Sequence, residues 1–165
     1  MITLQVYGIA GAQGSKKFLG TFKGKDGRVH AKLGESSKKV KPWREDVKTA
    51  AERVRAGAAP LDGPLVVRMV FTMPKPKSAP KRRRTWPAVT PDLSKLCRST
   101  EDALTQSGLW RDDARVVEYE RLAKVYPGED PESLEAPGVR ITIRVLQEGI
   151  AAAPGPGLFE SQAAA

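Results

Sequence analysis

The sequence predicts one α+β domain, a mixed sheet of about five strands with two principal helices. Three observations predict it. The 165 residues suit one hydrophobic core and no second folded unit. Several short segments alternate apolar and polar residues, or run apolar throughout, as strands do. Only two segments carry apolar residues at helical spacing.

The elements follow in order. Ile2 to Gly8 alternates and contains Val6 and Tyr7, which reads as a first strand. A glycine-rich stretch to Ser15 lacks the spacing of a phosphate-binding P-loop and reads as a flexible loop. Phe18–Phe22 and Arg28–Leu33 flank Asp26-Gly27, a strong hairpin signal. Pro42 suits the first turn of a helix to about Arg55, stopped by Gly57 and Pro60. Trp43, Val47, Ala50, Ala51 and Val54 form its apolar stripe.

Pro64–Met73 is nearly continuous in apolar residues and predicts a central strand covered on both faces. Residues 74–91 are the opposite, with five prolines and six Lys or Arg. They predict an exposed basic loop, mobile over 75–91. A second helix runs from about Asp92 to Gln106. Leu93, Leu96, Cys97, Thr100, Ala103 and Leu104 are its buried stripe, and Gly108 stops it. Arg115–Tyr126 and Gly138–Leu146 read as strands around an acidic loop. The domain is expected to span 1–147, and the Ala-, Pro- and Gly-rich residues 148–165 to form a disordered tail.

Charge points to the partner. The net charge is +9, but it is unevenly placed. Residues 1–91 carry 20 Lys and Arg against 6 Asp and Glu, whereas residues 92–165 carry 8 against 13. The basic half suits a polyanion. A protein that only coats nucleic acid has no use for the acidic half, whereas one that also holds metal ions does. Cys97 is the only cysteine, so no intrachain disulfide forms. Neither a signal peptide nor a membrane span is legible, and a reduced, cytoplasmic setting is expected.

The candidate chemistry lies in two acidic segments. Thr90-Pro-Asp92-Leu-Ser94-Lys95 opens the second helix, and Trp110-Arg-Asp112-Asp113-Ala-Arg115 precedes the next strand. If the strand runs alongside the helix, Asp92, Asp112 and Asp113 converge, and carboxylates that close need a cation or a proton between them. Carboxylate and water ligands suit Mg²⁺. Each piece alone has a plainer reading: Asp92 as a helix N-cap, the Asp pair as a turn.

The ordered blocks say more than either piece. Pro91-Asp92-Leu93, Lys95-Leu96, Arg98, Asp102-Ala103-Leu104-Thr105, Gly108-Leu109-Trp110, Asp112-Asp113-Ala114 and Val116-Val117 resemble the signature of the RusA family of Holliday junction resolvases. Weaker support comes from Gly14-Ser15-Lys16, Lys41-Pro42-Trp43, Lys124 and the closing Gly-Val-x-Ile-Thr-Ile. The resemblance implies a homodimeric, metal-dependent α+β endodeoxyribonuclease acting on four-way junctions in recombination and repair. It implies Mg²⁺, with Mn²⁺ as a substitute, and a bacterial, phage or prophage setting. Asp92 and Asp113 match two of the family's catalytic carboxylates, and Arg98 stands where the family keeps a lysine. Ser94 departs from the pattern, since many members have a third catalytic Asp there. A neutral hydroxyl is a poor direct ligand but can hold a metal-bound water. Glu101 and Asp102 lie on the order of 10 Å further along the helix and cannot replace it directly.

The expected site therefore comprises Asp92, Asp113, Arg98 and Lys124 as catalytic groups, with Asp92, Asp113, Asp112 and Ser94 around the metal. Lys16, Lys17, Lys81, Arg82, Arg83, Arg84 and Trp86 are the expected DNA contacts. Trp86 either stacks on an unpaired base or anchors its loop. Asp102 reads as a solvated residue or the partner of Arg98. A nuclease of flaps or forks, a non-catalytic binder of branched DNA and an RNA-associated protein are the rival readings. No aromatic RNA-binding strand motif favours the last.

Overall fold

A computed structural model describes residues 1–14, 17–34, 37–80 and 82–146. Of the sequence expectations, Lys16, Lys81 and the tail lie outside these residues, and so does the side chain of Lys17. In chain order the elements are β1 (Ile2–Tyr7), β2 (Lys17–Lys23), β3 (Val29–Gly34), α1 (Val40–Arg55), β4 (Leu65–Thr72), α2 (Leu93–Gln106), β5 (Val116–Val125) and β6 (Gly138–Val145). A single 3₁₀ turn, Asp113–Arg115, precedes β5.

Four strands form one mixed sheet in the order β1-β6-β4-β5. β4 pairs in parallel with β5 and antiparallel with β6, and β6 pairs antiparallel with β1. The parallel pair is possible because α2 makes the crossover between them. β4 is central, as its apolar run predicts, and all but Arg68 of its eight residues are buried. Val67, Met69 and Phe71 share a core with Leu4, Val6, Ile141 and Ile143 and with residues of both helices. Burying each such side chain contributes about 1.5–3 kcal/mol. Among the described residues the mixed sheet holds four strands, since β2 and β3 pair only with each other. Their Phe18, Leu19, Phe22 and Val29 stay exposed, so no core face draws the hairpin into the main sheet.

Both helices lie on one face of the sheet. α1 buries Val40, Trp43, Val47 and Ala51. Val54, expected on that stripe, is exposed because it is the last residue but one of the helix, where the chain clears the core. Ala56 adopts a left-handed conformation and donates its N–H to Glu52 O, closing the helix. Buried Trp43 Nε1 donates to Thr100 Oγ1 at 3.1 Å, which locks α1 onto α2. Arg55 Nη1 reaches the carbonyls of Ser107 and Gly108 and ties the two C-terminal ends.

The opposite face of the sheet is closed by the acidic loop that follows β5. The Leu134 N–H donates to Thr72 Oγ1 at 2.8 Å. Arg68 and Arg121 both pair with Glu132, and Arg121 also pairs with Asp130, whose side chain is 3% exposed. The basic segment 82–85 has no regular structure, but it is held. Arg84 pairs with Asp130 at 3.0 Å, and the Thr85 N–H donates to Glu129. Lys75, shortly after the end of β4, pairs with Glu129 as well.

Candidate active site

Asp92 occupies the N-cap position of α2, with extended backbone, yet its carboxylate makes no capping bond. The plain helix-cap reading of its side chain therefore fails. The side chain is exposed and meets Lys95 Nζ at 2.6 Å. This contact first, and Lys124 beyond it, hold the Asp92 carboxyl below its ordinary range, so it is an anion at neutral pH.

Lys124 sits near the end of β5 and reaches the loop that carries Asp92. Its Nζ donates to the carbonyls of Val89 at 2.7 Å and Pro91 at 2.8 Å. An ammonium has three donors, so one remains beyond these two. Tyr119, near the start of β5, donates its hydroxyl to Glu101, about two and a half turns from Asp92 along α2. Strand and helix therefore run side by side in opposite directions, which sets Lys124 beside Asp92 and leaves Asp113, before the start of β5, beside Glu101 rather than beside Asp92.

The two Asp of the second segment differ in employment. Asp112 Oδ1 accepts the Ala114 N–H at 2.8 Å and builds the turn. Asp113 is exposed, and its charge is felt at Glu101. Ser94 and Arg98, one turn apart on α2, both face solvent. Asp102 pairs with Arg44 of α1 rather than with Arg98, which leaves Arg98 without an ion pair among the described residues.

Sequence reasoning missed Glu101 as a partner in this region. Burial pushes its carboxyl above the ordinary range, and the charges of Asp113 and Asp102 add to the effect. Cys97, below it, is pushed up to about 12 by burial and lies 4.0 Å from the Met69 sulfur, an inert packing residue. The glycine-rich loop was also underread. A Cβ on Gly11 would lie 2.4 Å from Lys39 O, so only glycine lets the loop press against the start of α1. Two residues on, the Gln13 N–H donates to Lys95 O at 3.0 Å in the first turn of α2. The loop thus braces the helix end that presents Asp92. Its glycine spacing was the available signal.

Among the basic residues of the loop, Arg82 and Arg83 are exposed. Arg84 is engaged by Asp130 and lies over the exposed Trp86 ring, 5.2 Å from its centroid. Among the described residues, no three Asp, Glu, His or Cys side chains gather closely enough to hold a metal. The donors fit an open site on one or two carboxylates, of the kind a water-keeping hard cation uses. They do not fit a closed protein cage.

A comparison with known families matches the model described as endodeoxyribonuclease RusA over residues 25–144, well over half of the chain. The chain belongs to the RusA family. The matched stretch contains both acidic segments, Arg98 and Lys124. RusA membership makes this fold a DNA endonuclease scaffold, related to resolvases of Holliday junctions. No individual curated protein matches the chain significantly. No helix among the described residues is long and apolar enough to cross a membrane.

Proposed function

We propose that the protein is a divalent-metal-dependent endodeoxyribonuclease that resolves four-way DNA junctions by phosphodiester hydrolysis. The observation that carries this reading is the RusA match across both acidic segments. Asp92 and Asp113 would hold Mg²⁺ or Mn²⁺, with Asp112 and Ser94 reached through water. When bound, such an ion polarises the scissile phosphate and makes a bound water acidic. The chain's own cations do the rest. Arg98, free of carboxylate partners, meets the phosphate oxygens, and the third donor of Lys124 faces charge building on them. Lys95 neutralises the Asp92 carboxylate while no ion is held there. Lys16, Lys17, Lys81, Arg82 and Arg83 hold the DNA arms, and Arg84 with Trp86 shapes the loop that presents them.

A homodimer suits a junction with two equivalent cleavage points. The exposed Phe18, Leu19, Phe22 and Val29 on one hairpin support it, being more apolar surface than an isolated subunit needs. A bacterial cytoplasm, or a phage or prophage within it, is the expected setting.

The decisive test is cleavage of a synthetic four-way junction with and without Mg²⁺ or Mn²⁺, beside matched flaps and forks. Asp92→Asn and Asp113→Asn should each lower the rate by at least about a hundredfold, while junction binding survives. Full activity in either variant would reject the site. Ser94 favours one second reading, a binder that no longer cuts. It predicts tight junction binding without products in either metal, and Ser94→Asp should then bring cleavage back.

A further inference from the structure

Beside the acidic end of α2 lies a cleft of about 530 Å³ that the site described above does not use. It opens where β1, β4 and β5 end, the carboxyl edge of the parallel pair, where α/β sheets leave crevices. Its walls are mostly apolar, with Pro91, Val89, Pro87 and Met73 on one side and Ala12 of the glycine-rich loop on another. Tyr126 also lines it. Lys39, Ser37, Thr90 and the Tyr126 hydroxyl are its polar groups, and no carboxylate lines it among the described residues. Pro91, the residue before Asp92, belongs both to the cleft wall and to the loop held by Lys124.

We propose that this cleft receives one unpaired nucleobase of the branched DNA, next to the strand that passes Asp92. This rests on the nuclease reading above and adds a base-binding subsite to it. Three features select the occupant. The volume lies within the range of about 300–1,000 Å³ typical of pockets for single small molecules, and a base pair in a duplex cannot enter sideways. The apolar faces of the proline rings and a tyrosine replace for a base the contacts it loses on unstacking. Among the described lining residues Lys39 is the only charged group, which favours a ligand with phosphates attached. A base at a branch point is already poorly stacked, so its extrusion costs less than one from continuous duplex. Shape and exclusion of water would then favour branched over linear DNA, independently of the phosphate contacts.

The test uses binding rather than cleavage. Affinity for a labelled four-way junction is measured in EDTA, with an abasic nucleotide placed in turn at each position flanking the branch point. At one position the abasic change should weaken wild-type binding by about tenfold. Ala12→Phe and Val89→Trp, which fill the cleft from two sides, should weaken binding to the intact junction comparably. Neither should lose anything further on that abasic junction, and neither should change affinity for linear duplex. Val89 is 65% exposed, so its replacement leaves the fold intact even if Ala12→Phe does not. Indifference to every abasic position would overturn the proposal. So would equal losses by the filled variants on normal and abasic junctions, which would point to a protein segment in the cleft. Abasic-sensitive binding without cleavage in Mg²⁺ or Mn²⁺ would leave the subsite standing and reject the nuclease reading instead.

Discussion

Glu101 is a carboxyl in surroundings that disfavour its charge. It sits against Cys97 and Tyr119, and its charge is disfavoured first by burial and then by Asp113 and Asp102. A carboxyl whose folded pKa is raised binds its proton more tightly in the native state. Its contribution to stability is therefore fully present below the ordinary glutamate pKa and is lost as pH rises through the folded value. Glu101→Gln should accordingly raise the melting temperature at pH 8 and leave it unchanged at pH 4. Melting curves at the two pH values decide it; equal shifts at both would mean that the gain is packing rather than charge. The residue was invisible as a site component in the sequence because Tyr119 and Asp113 reach it from beyond its own helix. Asp92 was legible in place but not in use, for an N-cap position does not reveal that the side chain turns to Lys95 instead of to the helix amides.

Elements were the most legible level, and the reason is periodicity. β4, α2 and β6 carry the patterns of their burial, and the hairpin is announced by Asp26-Gly27, with Gly27 at φ 74°. Pairing was not legible. Alternation identifies a strand without naming its neighbours, so the separation of β2 and β3 from the main sheet had no sequence signal. Nor did the pairing of Arg44 with Asp102, 58 residues apart. The segment 82–85 shows the same limit. Its composition excludes regular structure, yet Asp130 and Glu129 hold it against the sheet. Arg121 above all keeps the Asp130 carboxyl below its ordinary range. Such a group supports folding above the ordinary Asp pKa, and its support fades as pH falls through the lowered folded value. Asp130→Asn should cost about 2 kcal/mol in urea unfolding at pH 7, reduced by solvent around its arginine partners. The same variant should make the bonds after Arg82 and Arg83 more susceptible to trypsin. Unchanged proteolysis would show that Glu129 alone restrains the strap.

At the scale of the whole molecule, the division into a basic and an acidic half has a different meaning from the one composition suggested. Much of the acidic half is spent within the protein: Glu129, Asp130 and Glu132 bind Lys75, Arg84, Arg68 and Arg121. Composition counted these carboxylates with Asp92 and Asp113, because a count cannot separate internal ion pairs from a site. What remains for DNA is the unpaired cations, and the salt dependence of binding counts them. Each phosphate contact contributes about 0.9 to the slope of log affinity against log salt on duplex DNA. Arg82→Ala and Arg83→Ala should each lower that slope by about this amount, weakening duplex and junction alike. Arg84→Ala should change it less, since the guanidinium is already committed to Asp130 and the Trp86 ring. Anisotropy titrations between about 50 and 200 mM salt distinguish the three. If Arg84→Ala lowers the slope as much as its neighbours, the arginine leaves Asp130 when DNA arrives. The strap would then be a latch opened by phosphate rather than a fixed part of the fold.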